Sequence, residues 1–168
     1  MLIKLLWVLA IYFLIAGGFR IIHLIRARAM RAFAIRLGFE YIGPGAPPNW
    51  LWNPSEFHAR PPIPSWISHL RPCGAQIRQV WNVTKGNIDD APVLIFDCVI
   101  GDRGGHPCTV LMCQTEQDPF VTVTSRDRAL ATHGWSVLHG SRFLWFSWMM
   151  GIRRLEAHLN DMKIAHRA

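Results

Sequence analysis

The chain has 168 residues, the length of one ordinary domain, and a formal net charge of +7. Residues 1–36 carry six basic side chains and no acidic one, whereas the rest of the chain carries 12 basic and 11 acidic side chains. The body of the protein is therefore nearly neutral, which excludes the basic groove or stripe that is typical of nucleic-acid-binding proteins.

Residues 1–26 have the composition of a transmembrane helix. The uninterrupted apolar run covers residues 5–19, which is about 22 Å of helix, and a bilayer core is about 30 Å thick. Lys4 and Arg20 can extend the span at its two ends because long basic side chains reach back to the interface. The predicted anchor residues are Leu5, Trp7, Phe13, Phe19 and Ile22.

A cleaved signal peptide is the alternative interpretation, because Ala16-Gly17-Gly18 supplies the small residues of a cleavage site. A cluster of arginines follows at once, and such a cluster stops transfer, which favours an anchor. By the positive-inside rule the cluster predicts an inner-membrane protein with its N-terminus outside and its body cytoplasmic. This topology signal accounts for the cluster without a specific site for anionic lipid. The juxtamembrane members are Arg20, Arg26, Arg28 and Arg31.

Two segments separate the anchor from the body. In the juxtamembrane segment 27–42, helical periodicity continues to Leu37, with Met30, Phe33 and Leu37 on one face, and Gly38 is the expected stop. This helix either continues the membrane helix or lies on the bilayer surface. Residues 43–72 contain eight of the 11 prolines, so neither a helix nor a central strand is expected there. The segment is interpreted as a linker wrapped over the domain or as a docking arm. It contains Trp50, Trp52 and Trp66.

Residues 73–168 predict a cytoplasmic α+β domain. Strand patterns occur at 77–85, 93–100, 109–115 and 120–125, with one or two more at 135–139 and 142–148. Short links between them predict an antiparallel meander, and an amphipathic helix over residues 150–165 would cover one face of the sheet. The predicted fold is an N-terminal transmembrane helix followed by a small antiparallel sheet of about five strands, packed with a C-terminal helix.

Short motifs in this region resemble an uncharacterised family of bacterial membrane-anchored proteins. They are Leu37-Gly38-Phe39, Asn82-Val83 with Gly86, Pro92-Val93, and the run from Ile95 through Phe96-Asp97-Cys98 to Gly101. The resemblance covers about residues 30–125. It implies an N-terminal membrane segment and a strand hairpin built on the Phe-Asp core, and it implies no activity and no catalytic residue. The proline- and tryptophan-rich insert before Cys73 departs from the family pattern.

Asp97 is the candidate functional or structural residue, because it interrupts the most apolar strand. A lone buried carboxylate is costly unless it is paired. It is therefore interpreted as a clamp to a backbone turn or to an arginine, with Arg78, Arg126 or Arg128 as expected partners. The alternative is a general acid or base.

The histidines and cysteines do not predict a metal site. The possible ligands are His69, Cys73, His106, Cys108 and Cys113, and they lack the two close pairs that are usual for zinc. In a cytoplasmic domain the four cysteines of the chain would be reduced. No motif predicts a cofactor.

The aromatic run 143–150 is interpreted as either a buried strand or a surface that meets membrane or partner. Its Trp145 and Trp148 join the three tryptophans of the 43–72 segment as candidate interface residues.

These observations predict a single-pass membrane protein whose cytoplasmic domain binds or scaffolds another membrane or cytoplasmic protein, for example as an accessory subunit of a larger membrane complex. The expected partners are the lipid bilayer and that protein, with no nucleic acid. The alternative is a membrane-tethered enzyme that uses Asp97 or the His/Cys set.

Overall fold

The computed structural model describes residues 2–43, 77–100, 106–114, 127–132, 135–140 and 150–165. These residues form two helices and six strands. In chain order they are α1 (Leu2–Leu37), β1 (Glu40–Gly43), β2 (Ile77–Ile88), β3 (Ala91–Ile100), β4 (His106–Gln114), β5 (Asp127–Thr132), β6 (Trp135–Gly140) and α2 (Ile152–Ala165).

The strands form one sheet in the order β1-β2-β3-β4-β6-β5, and each neighbouring pair is antiparallel. The first four strands follow one another as a meander. The next neighbour of β4 is β6 rather than β5, so β5 lies at the edge. Long strands β2, β3 and β4 therefore occupy the interior of the sheet.

The middle of the sheet, around β3 and β4, is buried on both faces. Side chains of α1 and α2, among them Phe33 and Leu155, pack with Ile95 and Leu111 on one face. Phe96 belongs to a second buried cluster on the opposite face. Burial on both sides explains why β3 and β4 appear in the sequence as nearly continuous apolar runs instead of alternating patterns.

Helix α1 has two parts with different surroundings. From Ile3 to Ile15 its apolar side chains are exposed on all sides, with Leu14 76% accessible. From Met30 to Leu37 one face of the same helix packs into the core. Helix α1 is long and apolar enough to cross a membrane, and no break separates the segments 1–26 and 27–42 of the sequence analysis.

A glycine cap ends α1 and starts β1. Gly38 has a φ of +69°, the left-handed conformation that glycine adopts at no steric cost. The Phe39 amide donates to the Ala34 carbonyl (2.8 Å) and the Gly38 amide donates to the Ile35 carbonyl (3.2 Å), the hydrogen-bond pattern of a Schellman motif. The cap turns the chain so that the Phe39 ring lies on Gly86, where a Cβ atom would be 2.1 Å from the ring.

The β2–β3 hairpin has a two-residue turn and a bulge. Asp89 and Asp90 both have positive φ angles, as a type I′ turn requires. Between the pairs Trp81↔Asp97 and Thr84↔Ile95, β2 has one residue more than β3. Asn82 lies in this bulge with a φ of 51°, and asparagine is among the residues that tolerate this conformation best.

The predicted α+β layout is confirmed for the long apolar helix, the antiparallel sheet and the C-terminal helix. Strands β1 and β5 were not predicted from the sequence. The predicted strands at 120–125 and 142–148 lie outside the described residues, as does the linker or docking arm predicted at 43–72, apart from Gly43 at the end of β1.

Candidate functional site

The most polar buried cluster among the described residues surrounds Asp97, where α1 meets the sheet. Asp97 is fully buried, and its neighbours in β3 belong to the apolar core. The side chain of Arg26 on α1 is 10% exposed and lies against it. The network, called the Asp97 network below, consists of Arg26, Tyr41, Asn82, Asp97, Thr109 and the backbone amide of Met150.

Arg26 binds the carboxylate of Asp97 through two nitrogen atoms. Its Nε donates to Oδ2 and its Nη2 donates to Oδ1, both at 3.0 Å. Two parallel, charge-assisted hydrogen bonds of this kind fix both the distance and the orientation of the two groups. The second half of α1 is therefore joined directly to the central strand β3.

Two neighbouring strands supply the remaining hydrogen bonds of Asp97. Asn82 Nδ2 donates to Oδ2 at 2.8 Å, and the Thr109 hydroxyl donates to Oδ1 at 2.7 Å. Each carboxylate oxygen thus accepts two hydrogen bonds, which fills the roughly four acceptor positions of an ionised carboxylate. A charge buried in this way is fully compensated, as burial demands.

Thr109 extends the network toward the C-terminal helix. Its hydroxyl oxygen accepts hydrogen bonds from Arg26 Nη2 at 3.2 Å and from the Met150 amide at 3.0 Å. Met150 immediately precedes Gly151, whose carbonyl accepts from Arg154 and Leu155 in the first turn of α2. One threonine therefore connects the sheet, α1 and the start of α2.

Tyr41 closes the network on the side of β1. Its hydroxyl donates to Asn82 Oδ1 at 2.9 Å, and the bulge in β2 is what turns the Asn82 side chain toward both partners. Burial and the nearby Asp97 carboxylate raise the pKa of Tyr41 to about 12, against the opposing effect of Arg31 and Arg26. The phenol therefore remains a neutral donor across the physiological range.

A second contact between α1 and β2 lies beside the network. The rings of His23 and Trp81 meet edge to face with their centroids 5.9 Å apart, a favourable geometry for aromatic pairs. His23 is one helical turn before Arg26, so two consecutive turns of α1 are fixed on the same part of the sheet.

The arginine that the structure places against Asp97 was not among the expected partners. That arginine is Arg26. The side chains of the expected partners Arg78, Arg126 and Arg128 lie outside the described part of the structure. The roles of Asn82 and Thr109 were missed as well. Arg26 was interpreted as a topology signal, although its helical spacing from Met30, Phe33 and Leu37 puts it on the buried face.

The other predicted basic and anchor residues of α1 are mostly exposed. Arg20, Arg28 and Arg31 are exposed, as are Leu5, Trp7 and Phe13, while Ile22 is half-buried. The side chain of Phe19 lies outside the described part of the structure. The candidate interface residues Trp50, Trp52, Trp66, Trp145 and Trp148 also lie outside the described residues.

The sheet separates the cysteines that were weighed as metal ligands. Cys108 and Cys113 lie on opposite faces of β4, in the second and the first core cluster respectively. Cys108 faces Cys98 across the β3–β4 pair, and burial raises the pKa of the Cys98 thiol well above its usual value. Burial also raises the pKa of Cys113 to about 11. His69, Cys73 and the side chain of His106 lie outside the described residues.

The geometry of the Asp97 network suits a structural connection between α1 and the sheet better than it suits catalysis by Asp97. A general base needs an acceptor position that a substrate proton can reach, and the described partners of Asp97 occupy these positions. The buried cysteines lie among apolar core residues, where cysteine packs as a small apolar group.

No family model matches the chain, and no curated protein or solved structure matches it. The family resemblance drawn from the short motifs stays a prediction. The class that the fold itself defines is an α+β protein with a long apolar N-terminal helix whose second half is part of the domain core.

Proposed function

We propose that the protein is a single-pass membrane protein whose α+β domain binds or scaffolds a partner protein at the membrane surface. An accessory subunit of a larger membrane complex is the concrete form of this proposal. The observation that carries it is the first half of α1, where apolar side chains are exposed around the whole helix. A helix that is apolar all round requires an apolar environment, which a bilayer supplies.

The dimensions of α1 support a span that ends where the domain begins. Residues 3–22 make 20 residues of helix, about 30 Å, which equals the thickness of a bilayer core. From His23 onward the helix contacts the sheet, first through Trp81 and then through Asp97. A span over residues 3–22 therefore places the domain against the membrane surface without a spacer.

The Asp97 network supports a tether that fixes the orientation of the domain. Arg26 lies four residues beyond the proposed span and binds the buried Asp97 through two hydrogen bonds. A domain held in this way presents the same surface to any neighbour in the membrane. Such a fixed presentation suits binding or scaffolding, and the saturated carboxylate gives no support to an enzyme that uses Asp97 as its base.

Two truncations test the anchor. Deleting residues 2–21 removes the proposed span and retains Ile22, His23 and Arg26, so we expect a folded domain in the soluble fraction. Deleting residues 2–26 removes Arg26 too, and we expect that body to lose stability as well as membrane association. If the chain that lacks residues 2–21 stays in the membrane fraction, the anchor is instead residues 143–150 or a partner.

The orientation is tested by a reporter fused after Ala168. The proposal places the domain in the cytoplasm, at the inner membrane, with the N-terminus outside. A cytoplasmic reporter signal is the expected result, and a periplasmic signal would overturn the orientation.

The scaffold itself is tested by affinity purification from detergent-solubilised membranes. We expect a protein that is retained in fixed proportion by the full chain and lost when the chain is truncated after Gly43. A protein retained equally by residues 1–43 would bind the helix, and the role proposed for the domain would then be wrong.

A further inference from the structure

The arginines that follow the proposed span fall into two groups. Arg26 is paired with Asp97, and Arg36 is paired with Glu156 on α2. Arg20, Arg28 and Arg31 are exposed and have no ion pair with any residue that the structure describes. The first group holds the domain together, which leaves the second group for another partner.

The three exposed arginines share one side of α1. At 3.6 residues per turn they project within roughly 80° of one another, and Leu24 and Ile35 lie between them. Leu24 is 54% and Ile35 is 67% exposed. These five residues are called the outer face below. Leu24, Arg28 and Ile35 lie opposite the side of the helix that packs on the sheet. Arg20 and Arg31 flank them, and Arg31 is close enough to Tyr41 of β1 to oppose the rise in the pKa of that phenol.

The outer face carries positive charge without any compensating acid. Helix α1 contains no aspartate or glutamate, so an approaching anion meets no like charge from this helix. The apolar members of the face continue the exposed apolar surface of the proposed span. This combination of arginines and apolar side chains is typical of helices at a membrane interface.

The depth of the arginines fits the lipid headgroups. Arg28 lies about 9 Å and Arg31 about 14 Å along the helix beyond Ile22. The headgroup region occupies roughly 5–7 Å on each side of the bilayer core, so the long side chain of Arg28 can reach it. Arg31 lies about one Debye length from it at physiological salt.

We propose that the outer face binds the headgroups of anionic phospholipids in the leaflet next to the domain. The proposal rests on the proposed function, because it requires α1 to span the bilayer. Continuity with the apolar span favours lipid over an acidic protein surface. It assigns Arg28 and Arg31 to the lipid, and it assigns Arg26 to the interior of the protein.

The experiment measures which lipid surrounds the full-length chain. The protein is reconstituted into phosphatidylcholine vesicles that contain a trace of dansyl-labelled phosphatidylglycerol or of dansyl-labelled phosphatidylcholine. Energy transfer from tryptophan to dansyl then gives the preference for the anionic lipid. Both leaflets have the same composition, so the result does not depend on the orientation of the chain.

We expect the wild-type chain to prefer phosphatidylglycerol, and we expect 0.5 M salt to weaken that preference. An arginine near an anionic surface contributes about a five-fold preference, so Arg28→Gln should lower it by about that factor. Arg31→Gln should lower it by less, because Arg31 lies about one Debye length from the headgroups. Arg153→Gln is the matched control: it removes an exposed arginine from α2, and the preference should stay unchanged.

The outcomes separate this inference from the function on which it rests. A chain that fails to float with the vesicles overturns both proposals. A chain that floats and shows no lipid preference overturns the lipid site alone and leaves the outer face to an acidic protein surface. Equal losses of preference in Arg28→Gln and Arg153→Gln would overturn it too, because net charge and not the outer face would then be responsible.

Discussion

Replacing Arg26 by glutamine tests whether the Asp97 network holds helix α1 to the sheet. Asp97 is fully buried and would lose its one counter-ion in the network together with two of its four hydrogen bonds. Removing one partner of a buried ion pair costs about 3–5 kcal/mol because the other charge remains buried. We therefore expect Arg26→Gln to lower the free energy of unfolding by about that amount.

Arg36→Gln is the matched control on the same helix. Arg36 also pairs with a carboxylate, but the two side chains are 60% and 33% exposed. Exposed pairs contribute about 1 kcal/mol or less. The two substitutions remove the same charge from the same helix and differ in the burial of the pair.

The assay is thermal and urea unfolding of the full-length variants in detergent micelles. For a chain of this size about 1 kcal/mol changes the melting temperature by about 2–4 °C, so Arg26→Gln should melt roughly 6–20 °C below the wild type. Asp97→Asn should retain part of the stability, because an amide oxygen still accepts hydrogen bonds from the neighbours. The double variant Arg26→Gln with Asp97→Asn should lose less free energy of unfolding than the two single variants together, since it leaves no unpaired charge. Equal melting temperatures for Arg26→Gln and Arg36→Gln would refute the structural role of the pair.

Two further predictions concern the surroundings of the network. Gly86→Ala places a Cβ atom 2.1 Å from the Phe39 ring, so it should lower the free energy of unfolding by about 1–3 kcal/mol. Adding Phe39→Leu to this variant should restore part of the loss. Gly18→Ala is the control, because a Cβ atom there meets nothing within 4 Å, and it should not destabilise the protein. The raised pKa of Tyr41, about 12 instead of 10, means that the folded state holds the phenol proton more tightly than the unfolded state. The contribution of Tyr41 to stability is therefore complete below pH 10 and disappears as the pH rises toward 12. The pKa is measured from the absorbance of the ionised phenol against pH, in the wild type and in Tyr41→Phe. A midpoint near 10 would contradict the burial of this hydroxyl.

The sequence was sufficient for the elements whose pattern depends on local chemistry. The apolar run of α1, the stop at Gly38 and the amphipathic stripe of α2 each follow from helix periodicity and capping. Strands β2, β3, β4 and β6 were predicted because β-branched and apolar residues cluster between turn signals. Strand β1 escaped prediction because it has four residues, and its existence depends on pairing with β2, which no local pattern reveals.

The site could be predicted in part. Asp97 was recognised because a carboxylate in an apolar strand needs a partner, but the partner is 71 residues earlier in the chain. Each of the two residues is a charge on a face that its apolar pattern predicts to be buried, which is the signal that could have paired them. Arg26 lies on the apolar stripe of Met30, Phe33 and Leu37, and Asp97 interrupts the apolar run of β3. The roles of Asn82 and Thr109 depend on the bulge and on strand register, which arise from tertiary pairing and leave no mark in a single sequence.

The continuity of α1 has a mechanical consequence. A domain joined to an anchor by a flexible loop turns freely, whereas here one uninterrupted helix of 36 residues contains both the proposed span and the part that packs on the sheet. That helix is about 54 Å long, so a 10° change in its inclination displaces one end against the other by about 9 Å. Thinning or thickening of the surrounding bilayer changes the inclination of a spanning helix. In the proposed setting the domain would move as a lever with the membrane, and a protease could detach it only by cutting a folded helix.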